Sequence, residues 1–362
     1  MNVFYIGPYR QTDSWGATSR NYLRFLSKHA DVVARPIYYS SVQASAEIEP
    51  ELQELESKQL EERDVIIQHG LPYNLVYDGS FNTNIAVTSV SSQINNTSWV
   101  TNLNLFDKVI VFSETEKNML IESGVKAEIY AFGFPPNYES SFEVTQLPIT
   151  SQGKTIFYAT GSTESNISGL KEVLVSYLTG FSVVDNVMLI VFSEQKDLGN
   201  IIDQMKKDLG VYEKESHYPT VGVVNNTQQS IINYAHKFFQ CFIDVSYGGL
   251  PDANTLKATT LNKIVMTLDN NKLYSDDYDF YVSSQEEIIQ HRGPRPMKGV
   301  LSGEFTWQVP STSSLRRKMR LVHEVHEKGP ETLKKNKDLV SEVGVGMITL
   351  IDKWTKESLC IQ

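Results

Sequence analysis

The sequence predicts a two-domain α/β protein, each half an open parallel sheet covered by helices. Three observations predict it. The chain has 362 residues, more than one core usually fills. Short apolar runs rich in β-branched residues recur between longer amphipathic stretches. That alternation breaks once, in a Pro- and Ser-rich stretch over 133–153, and then restarts.

Composition narrows the class. Hydrophobic residues make up 41% and charged residues 21%, enough apolar surface to build cores and too little charge for a disordered chain. The formal net charge is −10, from 33 basic and 43 acidic side chains, and no basic block offsets it. This argues against nucleic acid as a partner. The two cysteines, Cys241 and Cys360, are too few for a disulfide scaffold or a structural zinc site. No run of 18 apolar residues appears, so no spanning helix is expected. The opening apolar segment is short and lacks a basic lead-in, so it reads as a first core strand of a cytoplasmic protein.

In the first half, strands are expected at Asn2–Ile6, Asp31–Arg35, Asp64–Gln68, Asn84–Val90, Lys108–Phe112 and Glu128–Ala131. Helices are expected near Gly16–His29, Glu49–Glu62, Ser98–Leu105 and Glu114–Ser123. The last is the best marked, with Ser113 and Glu116 as a capping box and Gly124 as its stop. The stretch 133–153, with Pro135, Pro136 and Pro148, reads as the interdomain linker.

After it, a strand at Thr155–Thr160 enters a Gly161-Ser162-Thr163 turn and a helix with Ile167, Leu170, Leu174, Tyr177 and Phe181 on one face. Further strands are expected at Val187–Phe192, Thr220–Val224, Cys241–Val245 and Ile264–Thr267. Helices near Leu198–Leu209, Gln228–Lys237 and Ala253–Leu261 separate them, and the tail from Ser313 reads as all-helical. Open parallel sheets bind ligands outside their strand C-termini. On this pattern alone dehydrogenases, two-domain binding proteins and epimerases fit equally well.

Several segments carry a more specific signal. A strand over Val3–Gly7 leads through Ser14-Trp15-Gly16-Ala17 to Arg20-Asn21-Tyr22-Leu23. The run Asp107–Ser113 enters a helix that ends Ser123-Gly124-Val125. The second half opens with a strand, Gly161 and a helix holding Tyr177 and Phe181; it continues with a Gly loop and helix over Cys241–Lys263 and with Trp307-Gln308-Val309-Pro310 before Leu315 and Met319. In this order, and over nearly the whole chain, the segments resemble the retaining GT-B glycosyltransferases of the group 1 (family 4) type. The resemblance implies two Rossmann-like domains facing a central cleft. The acceptor domain would span 1–145 and the donor domain 146–344, with a last helix at about 345–362 packing back on the first, Trp354 included. It also implies a nucleotide-sugar donor, transfer with retention to a hydroxyl of a saccharide, lipid or protein, and no metal or other cofactor.

The donor would then meet three places. Gly16 would let backbone approach the pyrophosphate or sugar. Gly161, Ser162 and Thr163 put small residues and hydroxyls before a helix, where free N–H groups favour an anion. Gly248, Gly249 and Asp252 lead into a helix carrying Asn254, Thr255 and Lys257. An ordinary turn explains each place as well. His69, at the end of a strand, is the candidate catalytic residue on the acceptor side, against a structural histidine.

The sequence departs from the family where the charge should be. Ser165 and Asn166 stand where the family places Arg and Lys, and Lys171 is the nearest cation. Gly249 and Lys257 stand where it places two glutamates. A leaving diphosphate needs positive charge, and Lys257 is the residue left to supply it, with Lys171 and Arg292 as further candidates. Three readings follow: an active glycosyltransferase, a GT-B-shaped binding subunit that has lost transfer, and a sugar-nucleotide epimerase on the same scaffold. His323 and His326 read as solvated surface, and Tyr22 and Trp99 as core. The basic stretch Leu315–Arg320 reads as a solvated helix face; peripheral contact with anionic lipid is the weaker reading.

Overall fold

The computed structural model describes residues 1–11, 14–38, 48–90, 97–131, 144–149, 153–164, 168–247, 253–270, 278–290 and 304–328. These fall into two compact units, one holding the described residues up to 131 and the other those from 144 to 328.

Unit 1 is a six-stranded parallel sheet with helices between the strands. In chain order its elements are β1 (Asn2–Gly7), α1 (Ser14–Leu26), β2 (Asp31–Pro36), α2 (Pro50–Ser57), β3 (Val65–His69), β4 (Thr83–Val87), α3 (Thr97–Leu103), β5 (Lys108–Val111), α4 (Glu114–Glu122) and β6 (Glu128–Ala131). The strand order is β2-β1-β3-β4-β5-β6. Pro36, which has no N–H to donate, is tolerated at the end of an edge strand. Strand interiors such as Ile85–Val87 and Val109–Val111 are buried at successive residues, the mark of a sheet covered on both faces.

Unit 2 repeats the plan with β7 (Thr155–Thr160), α5 (Leu170–Gly180), β8 (Val187–Phe192), α6 (Leu198–Leu209), β9 (Thr220–Val224), α7 (Gln229–Phe238), β10 (Cys241–Ile243), α8 (Ala253–Thr260), β11 (Ile264–Leu268) and β12 (Tyr281–Val282). Its order is β12-β11-β10-β7-β8-β9, all parallel. The helix α6 ends on Gly210 in the left-handed region, with Lys206 and Lys207 in its last turn, as helix stops require. Of the expected linker, Leu147 is buried in this unit's core and Thr145 bonds through backbone and side chain to Ser230.

The short β12 was not expected from the sequence, and two larger features also depart from that reading. First, β13 (Ser284–Gln290) and β14 (Glu304–Pro310) pair as an antiparallel hairpin that the sequence reading did not anticipate. The Trp307–Pro310 segment is therefore strand, with Trp307 and Val309 buried at the alternation of a sheet face. Second, His323 and His326 do not form a solvated surface. They lie on α9 (Thr312–Lys328), where both Nδ1 atoms reach the Thr155 hydroxyl, at 2.8 and 3.0 Å. His323 is 7% exposed. Their three-residue spacing puts both rings on the face that packs on β7, although charged residues surround them in sequence.

The expected basic stretch also lies on α9. Leu315 and Met319 are fully buried, Arg320 pairs with Asp185 at 2.7 Å and lies over the Phe181 ring, and Lys318 donates to the Asp279 carbonyl. The expected last helix at 345–362, with Trp354, lies outside the described residues.

Gly169, which caps α5 at φ +68°, has only 2.2 Å between an added Cβ and the Val245 carbonyl oxygen. Both the backbone sign and the space demand glycine. Gly169→Ala should cost about 2–4 kcal/mol in urea unfolding; a loss below about 1 kcal/mol would contradict this packing.

Candidate functional site

Each sheet has one place where the chain reverses its direction of winding, and there adjacent loops leave in opposite directions. In unit 1 this is between β1 and β3; in unit 2 it is between β7 and β10. The candidate residues that the structure describes gather at these two places.

In unit 1, the loop after β1 is tied down by Arg20, which donates to the carbonyls of Tyr9 and Gln11 at 2.8 Å each. Gly16 lies inside α1, buried, and a Cβ there would sit 2.0 Å from the Gln11 carbonyl oxygen. The space that Gly16 leaves open is thus used by the chain's own backbone. The Gln11 side chain is 1% exposed, and neither of its amide atoms has a partner among the described residues.

His69 ends β3 and is completely buried. Its Nδ1 meets the Tyr5 hydroxyl at 2.7 Å, and that hydroxyl also meets Ser19 Oγ at 2.8 Å. Its Nε2 has no partner among the described residues. The rings of Trp15, Tyr22 and Phe112 surround it at centroid distances of 5.0, 5.3 and 6.0 Å. Burial among these rings pushes the imidazole pKa down to about 3, so it is neutral at ordinary pH.

Sequence reasoning gave Glu116 only a capping role. It is fully buried and accepts from Ser89 Oγ, from the Val90 and Phe112 amides and from Ser113 Oγ, at 2.6 to 3.2 Å. One carboxylate therefore joins the chain after β4 to the start of α4. Burial raises its pKa to about 7, against the lowering effect of those donors.

In unit 2, Gly161 follows β7 with φ +144°. Ser162 Oγ, Thr163 N and Thr163 Oγ1 all donate to one atom, Gln195 Oε1, at 2.9, 2.9 and 3.0 Å. Gln195 follows β8, is 6% exposed, and its Nε2 has no partner among the described residues. No spacing rule singles it out; its only sequence signal is its place just past a strand's C-terminal end.

Beyond β10, Asp244 accepts from Ser246 Oγ at 2.8 Å and from Thr255 Oγ1. Asn254 Oδ1 accepts from Gln229 Nε2 at 3.1 Å and faces His236 Nε2 at 3.5 Å; the other ring nitrogen of His236 meets the Tyr158 hydroxyl at 2.9 Å. Burial pushes the His236 pKa down to about 3. These contacts fix the first turn of α8; Lys257, in its last turn, is 6% exposed. Gly248, Gly249, Asp252, Ser165, Asn166 and Arg292 lie outside the described residues. Lys171 is exposed on α5.

Tyr22 is core at 1% exposure, and Trp99 packs against Tyr73 with centroids 5.9 Å apart. Among the described residues no three His, Cys, Asp or Glu side chains gather as metal ligands, and no helix is long and apolar enough to cross a membrane.

No protein-family model and no curated protein sequence matches the chain. Solved structures do match. Sucrose-phosphate synthase from Thermosynechococcus elongatus superposes with a TM-score of 0.63 at 10% identity, over 99% of this chain and 100% of the other. The fold is GT-B. UDP-GlcNAc 2-epimerase from Neisseria meningitidis, solved bound to UDP-GlcNAc, matches this GT-B chain with a TM-score of 0.52 at 12% identity, over 98% and 100%. TarM from S. aureus, solved with fondaparinux, α-GlcNAc-glycerol and UDP, matches with a TM-score of 0.54 at 12% identity. That match covers 81% of this chain and 54% of TarM, so the chain spans about half of TarM's length.

The buried groups give the two units different pH responses. His69 and His236 are depressed below the unfolded value of about 6.5, so the stability each contributes is full above that pH and is lost as pH falls toward 3. Glu116 is raised, so its contribution is full below its unfolded value and is lost as pH rises through about 7. Between roughly pH 4.5 and 6.5 the two groups of unit 1 oppose each other, whereas His236 of unit 2 acts with His326, also depressed by burial. Acidification from pH 7 to 5 should lower amide-exchange protection in β7–β11 about tenfold more than in β1–β5, and His236→Gln should remove most of that difference. Equal losses in both sheets would contradict the assignment.

Proposed function

We propose that this chain is a glycosyltransferase that moves a sugar from a nucleoside-diphosphate donor to a hydroxyl acceptor with retention. The observation that carries the proposal is a GT-B fold matched across 99% of the chain, with small and polar residues at the winding reversal of unit 2. Two structures with this fold, TarM and UDP-GlcNAc 2-epimerase, were solved with UDP and UDP-GlcNAc respectively.

In this reading unit 2 takes the donor. Gly161, Ser162 and Thr163 face one side of the diphosphate, and Asn254, Thr255 and Lys257 face the other; Gly248, Gly249 and Asp252 precede these in sequence as further donor candidates. Lys257 supplies the positive charge that a departing diphosphate requires. Gly16 and His69 belong to the acceptor unit. A neutral His69 serves as a hydrogen-bonding group there, since transfer with retention places no demand for a protein base on it. Neither metal nor other cofactor enters, and the protein works in the cytoplasm.

A panel of nucleotide-sugars tests this by thermal shift and by donor hydrolysis. At least one donor should raise the melting temperature and be hydrolysed slowly without an acceptor. Binding without turnover would point to a binding subunit, and an epimerised donor to an epimerase. Lys257→Ala should weaken binding of the active donor about tenfold, as loss of one charge-assisted contact does; undiminished binding would remove Lys257 from the site.

A further inference from the structure

We propose that the Gly161–Thr163 turn is an oxyanion site whose occupant in the free protein is the protein's own Gln195 carbonyl, so that Gln195 gates it. The inference deepens the proposed donor site and rests on it for its biological ligand, but not for its test.

Three donors from two adjacent residues converge on Gln195 Oε1: Ser162 Oγ at 2.9 Å, Thr163 N at 2.9 Å and Thr163 Oγ1 at 3.0 Å. The Thr163 amide fixes the orientation of the carboxamide, because an N–H can be met only by the oxygen. The turn is itself preset. Ser168 Oγ donates to the Ser162 carbonyl at 2.6 Å, and the Glu164 amide donates to Ser162 Oγ at 3.1 Å. Convergent amide and hydroxyl donors after a parallel strand, beside a winding reversal, are the arrangement that receives a phosphoryl oxygen.

Two observations make Gln195 a gate rather than a fixed plug. Its oxygen is neutral, whereas an anionic oxygen in the same place makes stronger, charge-assisted bonds. Its Nε2 is buried without a partner among the described residues, so the closed position carries the penalty of an unsatisfied donor. Swinging the carboxamide out hands the three donors to the ligand and returns Nε2 to water. Glu164, Glu194, Lys171 and Lys196 flank the two segments in sequence and are all exposed. With Asp197, also exposed, the flanking side chains are three acids against two lysines, so the attraction for an anion comes from the cradle itself. The ligand class is a phosphate or diphosphate oxygen, as the donor's leaving group would present.

Titration calorimetry of the full chain with inorganic pyrophosphate tests the gate. Pyrophosphate carries neither base nor sugar, so the outcome does not depend on whether the protein transfers a sugar. Gln195→Ala should bind it at least tenfold more tightly than the unsubstituted chain. Adding Thr163→Val, which removes one donor, should cut that gain at least threefold. Gln195→Asn, one methylene shorter, should fall between and carries the test if the alanine variant does not fold by circular dichroism. Unchanged affinity in both single variants, or a gain that Thr163→Val leaves intact, would overturn the proposal.

Discussion

A parallel sheet buried on both faces satisfies its backbone along the strands but not just beyond them, where loops depart and polar groups must find partners away from water. In each unit a buried side chain meets part of this need. Glu116 gathers donors from the segments after β4 and β5, and Gln195 gathers the donors of the turn after β7. Glu116 thereby ties together the segments after β4 and β5, and Gln195 caps the turn after β7, while Asp244 and Asn254 fix the start of α8. The difference between Glu116 and Gln195 matters. A carboxylate at the head of α4 is fully used by its donors, whereas a carboxamide leaves its own N–H₂ group unmet.

The same constraint explains where the functional residues lie. Only at a winding reversal do neighbouring loops diverge enough to leave room for a ligand. Gly16 and His69 belong to the reversal of unit 1, and Gly161–Thr163 and Asn254–Lys257 to that of unit 2. The chemistry gathered there is largely neutral: buried imidazoles depressed by desolvation, hydroxyls and amides. The charged exceptions are Asp244, which accepts from Thr255, and Lys257, held at 6% exposure in the last turn of α8. A diphosphate would therefore be met mainly by oriented dipoles and by one charge, instead of by the Arg and Lys pair that the family resemblance leads one to expect.

Much of the fold was legible in the sequence because the signals are local. Strands such as Thr155–Thr160 and Val187–Phe192 are continuous apolar runs, and α4 and α6 are bounded by their own stop residues. The β13–β14 hairpin was not legible, because Ser284–Glu287 is polar and takes its form from a partner about twenty residues away. The histidines of α9 were misread for a related reason: the neighbours in sequence are charged, but the face on which the two rings lie is settled by Thr155 of another element. That His69 lies at a strand's end and that Gly161 follows a strand could be read from the sequence, whereas Gly16 lies inside α1. That Gln195 fills the turn could not be so read, since the contact joins residues 32 and 33 positions apart with no motif to mark it.

The most direct measurement is a crystal structure of the chain with an intact nucleoside-diphosphate sugar. The account predicts the diphosphate at the β7/β10 reversal of unit 2, with Lys257 Nζ in hydrogen-bond contact and Gln195 turned out of the Gly161–Thr163 turn. A nucleotide bound elsewhere in unit 2, with Gln195 still in place and Lys257 untouched, would contradict it.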